Sequence, residues 1–149
     1  MIGENYTLGH RILRAALVFV ANLVFWILIP IAIGGILSKS STSTPLSTPS
    51  FVYAFGAVIT ALQVLAALTQ GMAVSVPFNP GSYIAEAYYI WAATNGGNLA
   101  ISAGGLDVAF GFAPLVYLLM LPLLFNAVRF PVTFLLEQSE VARPFSDEL

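Results

Sequence analysis

The sequence predicts an all-α integral membrane protein with four transmembrane helices in an antiparallel bundle, and three observations carry that expectation. Apolar stretches long enough to cross a bilayer recur at about 15–37, 51–76, 82–104 and 106–128. Only 8% of the residues are charged and 58% are hydrophobic, whereas roughly a quarter of a soluble domain is charged. The mean hydropathy of +0.89 points the same way, to lipid as the solvent. At 149 residues the chain has the length of one domain, read here as a single transmembrane domain.

The first segment follows a short polar stretch containing His10, Arg11 and Arg14 and is interrupted only by Asn22 and Pro30. Over 15–37 a helix rising about 1.5 Å per residue reaches roughly 35 Å, enough to cross about 30 Å of hydrocarbon with some tilt. A cleaved signal peptide has an apolar core of only about 7–15 residues, so this segment reads as a retained anchor. Pro30 removes one backbone bond and is expected to kink it. Residues 38–50 are Ser, Thr and Pro with little else, which makes them a polar extracytoplasmic loop.

The second segment carries a pattern that the first lacks. Gly56, Thr60, Gln63, Ala67 and Gln70 recur at alternating spacings of four and three, so they share one helix face. Small residues let helix backbones approach closely in lipid, and the two amides hydrogen-bond across helices at about 0.6–2 kcal/mol each. The face is expected to pack against another helix; a polar lining for a pore or groove is the functional alternative.

The third segment opens after the Asn79-Pro80-Gly81 turn, with Ser82 near the helix start. Glu86 follows one turn in, with Ser82, Tyr83, Tyr89 and Ile90 around its face. Tyr83, Tyr88, Tyr89 and Trp91 fit an aromatic belt at the membrane interface, which would leave Glu86 hydrated beside the headgroups. The sharper alternative is a helix broken at Gly96-Gly97, or a re-entrant one, with Glu86, Tyr83 and Tyr89 on a polar path. In the fourth segment Asp107 stands at the start, where a helix dipole stabilises a carboxylate, and Pro114 and Pro122 follow. Arg129 ends the apolar stretch; 130–136 is expected to lie along the interface before the charged end of a cytoplasmic tail, 129–149.

Loop charge sets the orientation. With four spans, Arg11, Arg14, Arg129 and Arg143 fall on one side and Lys39 alone on the other, which places both termini in the cytoplasm.

Chemical motifs are absent. The net charge of −2 and five scattered basic residues give no footprint for nucleic acid. No cysteine is present, which removes disulfides, thiolate metal sites and a cysteine nucleophile, and His10 alone cannot build a zinc site or a haem pair. No phosphate loop, no dinucleotide fingerprint and no hydrolytic triad can be assembled, so neither a catalytic residue, a metal nor a cofactor is expected. Glu86 and Asp107, read as opposite ends of one helix about 30 Å long, cannot act as an acid–base pair.

Two function classes follow. One is a non-enzymatic multi-span protein acting as a small structural or accessory subunit of a membrane assembly, its partners being lipid and other membrane subunits or copies of itself. The other is an oligomeric channel or transporter for an ion or small solute. In length and span count the chain resembles small membrane proteins of archaeal complexes and of pleomorphic archaeal virions, a likeness of gross layout that covers no motif. The scarcity of intramembrane charge that would mark an ion route favours the first class.

Overall fold

A long run of helix leads the described residues and sets the frame for the rest. The computed structural model describes residues 8–38, 49–70, 72–103 and 106–141. The expectations for the loop 38–50 and for the tail beyond residue 141 therefore lie outside the described residues, apart from the edges of that loop. Helix α1 (Leu8–Asn22) runs through a π-helical segment (Leu23–Leu28) into α2 (Ile29–Ser38). Helix α3 (Pro49–Leu68) starts on a proline, whose missing N–H is harmless in the first turn. A 3₁₀ turn (Ala73–Ser75) leads to α4 (Phe78–Ala93), and a second 3₁₀ turn (Asn95–Gly97) leads to a hairpin of β1 (Asn98–Ala103) and β2 (Leu106–Gly111). Helix α5 (Ala113–Val141) follows.

Three helical stretches, Leu8–Ile36, Pro49–Leu68 and Ala113–Leu136, are long and apolar enough to cross a membrane. The stretch 82–104 is not one helix. Helix α4 has 16 residues, about 24 Å, and stops at Ala93. The reason is local: Asn95, Gly96 and Gly97 take φ of 50°, 66° and 85°, and three left-handed residues in a row end a right-handed helix. The break thus falls at Gly96-Gly97, but the chain beyond it is extended. Strands β1 and β2 pair antiparallel from Asn98 opposite Gly111 to Ala103 opposite Leu106, so backbone groups that a helix would have satisfied internally bond across the hairpin. Asp107 accordingly belongs to a strand and does not begin a helix, and Glu86 and Asp107 are not the two ends of one. Gly97 has no substitute at its position, since a methyl group there would sit 2.4 Å from Ala113 Cα.

The far end of α5 also differs from expectation. The helix continues past Arg129 and contains Pro122 and Pro131, so 130–136 belongs to the same helix as the preceding residues. Pro30 behaves as its chemistry dictates. It has no N–H for the carbonyl of Trp26, four residues earlier, and the turns just before it widen into the π segment, where Ile29 N–H bonds Val24 O.

Packing follows a simple order along the helices. Arg14 meets Gln70, Asn22 meets Gln63, and Trp26 and Ile27 meet Gly56, so positions that rise along α1 fall along α3. Between α3 and α4, Gln63 meets Glu86, Phe55 meets Tyr88 and Phe51 meets Tyr89, again in opposite order. Gly56 is what lets the π segment and α3 touch. An added methyl would lie 2.5 Å from Ile27 Cγ1 and 2.9 Å from the Trp26 carbonyl oxygen, the same carbonyl that Pro30 leaves without its usual partner.

Candidate functional site

The interface of α1, α3 and α4 is polar at one end and aromatic at the other, and Glu86 stands where the two meet. Its carboxylate Oε1 accepts a hydrogen bond from Gln63 Nε2 on α3. Gln63 Oε1 in turn accepts from Asn22 Nδ2 on α1 at 2.7 Å. The direction of this relay is forced by the carboxylate. An ionised Glu86 can only accept, so Gln63 turns its N–H₂ toward it and its oxygen toward Asn22, which must then donate. Two amides thereby align on one charge across three helices, and each is satisfied where an unpaired amide in hydrocarbon would cost a few kcal/mol.

Glu86 is 5% exposed and Asn22 6%. Glu86 therefore does not sit hydrated among headgroups. The expectation failed because the aromatic residues around it divide: Tyr89 turns inward and is buried, while Tyr88 and Trp91 remain exposed. Neither Tyr83 nor Tyr89 bonds the carboxylate among the described residues, and the buried Tyr89 hydroxyl has no hydrogen-bond partner there.

Toward the start of α4 the interface stays polar. Ser75, Asn79, Ser82 and Glu86 succeed one another at spacings of four, three and four, which keeps them on one side of the chain. Ser75 and Ser82 are buried. Ser75 Oγ donates to Met72 O at 2.8 Å, Asn79 Nδ2 to Ser75 O at 3.3 Å, and Ser82 Oγ to Asn79 O at 2.9 Å. At the edge, Arg14 on α1 donates to Gln70 Oε1 just beyond α3.

Toward the end of α4 the interface is closed by rings. Tyr89 meets Trp26 edge-on at 5.4 Å between centroids and stacks on Phe51 at 5.6 Å, with Phe55 4.8 Å from Phe51. Ile59, Tyr89 and Ala93 form the buried centre of this cluster. Such ring pairs add roughly 0.5–1.5 kcal/mol beyond the area they bury.

The second-segment face is placed as follows. Gly56, Thr60 and Ala67 are buried, Gln63 joins the relay and Gln70 holds Arg14. Thr60 Oγ1 is buried without a hydrogen-bond partner among the described residues. Asn22, Asn79 and Ser75 were not singled out by the sequence reading. Asn22 is the signal that was there to find, the one amide in an apolar run, on the helix that Gln63 had to reach. On the opposite face of α4, Tyr88 and Trp91 line an open apolar cleft of about 360 Å³ against Tyr117 and Met120 of α5. Among the described residues no cluster of His, Asp and Glu is suited to a metal. Comparison with protein families, curated proteins and solved structures gives no match.

Proposed function

We propose that the chain is a non-enzymatic, multi-pass membrane protein that acts as a small structural or accessory subunit of a membrane assembly. In this reading α4, though short, carries the chain back between α3 and α5, which gives four passes in an antiparallel bundle with both termini cytoplasmic. The opposite order of contacts in the α1–α3 and α3–α4 pairs supports the parity, and the hairpin then lies at the extracytoplasmic end. The observation that supports a partner is the surface of α5. Leu118, Leu121, Phe125 and Leu135 are all at least 60% exposed, so most of this helix is left for lipid, another membrane subunit or a second copy. Purification in mild detergent from native membranes is expected to retain a stoichiometric membrane partner or a defined oligomer. A homogeneous monomer that carries only lipid would overturn the reading.

The burial of Glu86 at a helix interface favours a second reading, in which several copies form a path for an ion or small solute. An ionisable group among membrane helices is a functional position by default. Proteoliposomes assayed for proton, sodium or small-anion flux test it: flux that falls in Glu86→Gln supports a path, and a well-folded sample without flux refutes it for the isolated chain.

A further inference from the structure

We propose that Glu86 is a proton-binding site reached from one side only, the side on which Arg14 and Gln70 lie. The inference does not depend on whether the chain works alone, in copies or inside a larger assembly. It starts from the choice of residue. If the contact among α1, α3 and α4 needed only hydrogen-bonding glue, a third amide would supply it without bringing a charge between apolar helices, as Asn22 and Gln63 already do. A carboxyl group adds one capacity that an amide lacks, the ability to take up and release a proton.

The surroundings supply a route and a stop. From the α1 start, the row Ser75, Asn79 and Ser82 leads along one side of α4 to Glu86, and each of these side chains keeps a free lone pair or N–H beyond the bonds it makes. Past Glu86 the interface is filled by Trp26, Phe51, Phe55 and Tyr89, and the two buried hydroxyls there, Thr60 and Tyr89, make no hydrogen bond among the described residues. Thr60 stands three residues before Gln63 and Tyr89 three residues after Glu86, which in antiparallel helices puts both on the aromatic side of the relay. The other ionisable groups on the neighbouring elements stand as follows. On α1, His10 is exposed, Arg11 is half-buried with its Nε unpartnered among the described residues, and Arg14 is held by Gln70 at the edge; on α3, Tyr53 is exposed; on α4 itself, Tyr83 is half-buried and Tyr88 exposed; on α5, Tyr117 lies at the cleft on the opposite face of α4 and Arg129 is exposed.

The step itself is a simple transfer. A proton delivered by water from the Arg14 side forms an O–H bond at one carboxylate oxygen and returns by the same route, with no change of oxidation state. The consequence reaches α1, because a protonated Glu86 can donate, and the reason for Gln63 and Asn22 to point one way disappears. Asn22 is the residue immediately before the π segment, so that occupancy is felt where the first helix is already widened.

The test uses the full chain and dicyclohexylcarbodiimide, an apolar reagent that couples to protonated carboxyl groups. Peptide mass mapping of the parent protein in lipid vesicles across a pH series is expected to find an adduct on Glu86 that is lost as pH rises, and none in Glu86→Gln. No adduct at any pH, or a yield that ignores pH, overturns the proposal; this arm needs only the parent chain and stands even if the variant misfolds. Sidedness is read in vesicle populations of opposite orientation after an external pH step. The yield is expected to change only where the Arg14 end faces out, and a response from both sides, or only from the hairpin end, overturns one-sided access.

Discussion

The two halves of the α1–α3–α4 interface use the same helices and the same spacing to do different physical work. In the half toward Arg14, directional bonds fix which residue faces which: Asn22 to Gln63, Gln63 to Glu86, Arg14 to Gln70. In the half toward the hairpin, Trp26, Phe51, Phe55 and Tyr89 fill space, and their rings are held by shape and area. The difference teaches how a small membrane protein obtains both register and adhesion. Lipid tails are as apolar as leucine, so adhesion between helices rests on close packing, whereas amides that would be unsatisfied in any other register select one arrangement. Gly56 lies on the aromatic side, where it lets α3 pack directly against the π segment at Trp26 and Ile27.

If that division is right, single substitutions should differ in kind as well as in size. The largest effect is expected for Gln63→Leu, which strips the partner from a buried carboxylate and from Asn22 at once. Breaking a buried charged contact costs about 3–5 kcal/mol, and thermal unfolding in mild detergent should show it. Gly56→Ala comes next. The added methyl must displace Ile27 or the Trp26 backbone, an overpacking cost of about 1–3 kcal/mol, read as a lower melting temperature and looser α1–α3 crosslinking between introduced cysteines. Tyr89→Phe should behave oppositely to any change in the polar half. Its hydroxyl is buried without a partner among the described residues, so removing it is expected to be neutral or to stabilise by up to about 1 kcal/mol; a clear loss of stability would mean that the hydroxyl is bonded and that the aromatic half is not purely a packing element. The smallest effect belongs to Gln70→Leu, whose contact with Arg14 is exposed and worth less than about 1 kcal/mol.

Much of the frame was legible because periodicity is a local property. The long apolar runs, the break at Gly96-Gly97 and the common face of Gly56, Thr60, Gln63, Ala67 and Gln70 can all be read from spacing along one segment. What spacing cannot supply is the partner. Nothing within α3 says that Gln63 lies between Asn22, forty-one residues earlier, and Glu86, twenty-three later. The same limit applies to Glu86: tyrosines at 83, 88 and 89 look like an interface belt until the helix acquires a neighbour and Tyr89 turns in to meet Phe51. The hairpin was a missed signal of a different sort. Leu99, Ile101 and Ala103, then Leu106, Val108 and Phe110, alternate at period two around Gly104-Gly105, a pattern for two short strands that a search for twenty-residue apolar runs averages away. The course of α5 past Arg129 is not legible in the same way, because one charge marks the end of an apolar stretch and says nothing of whether the helix goes on.

The claim that the polar half is organised around the Glu86 carboxylate is tested most directly by a double-mutant cycle on Gln63 and Glu86, with thermal unfolding in mild detergent as the readout. If Gln63 is there to satisfy that charge, Gln63→Leu alone is the worst variant, and adding Glu86→Leu restores stability because no orphaned carboxylate remains, giving a coupling of about 1–3 kcal/mol between the two sites. Losses that simply add, so that the double variant is less stable than either single one, would contradict the account.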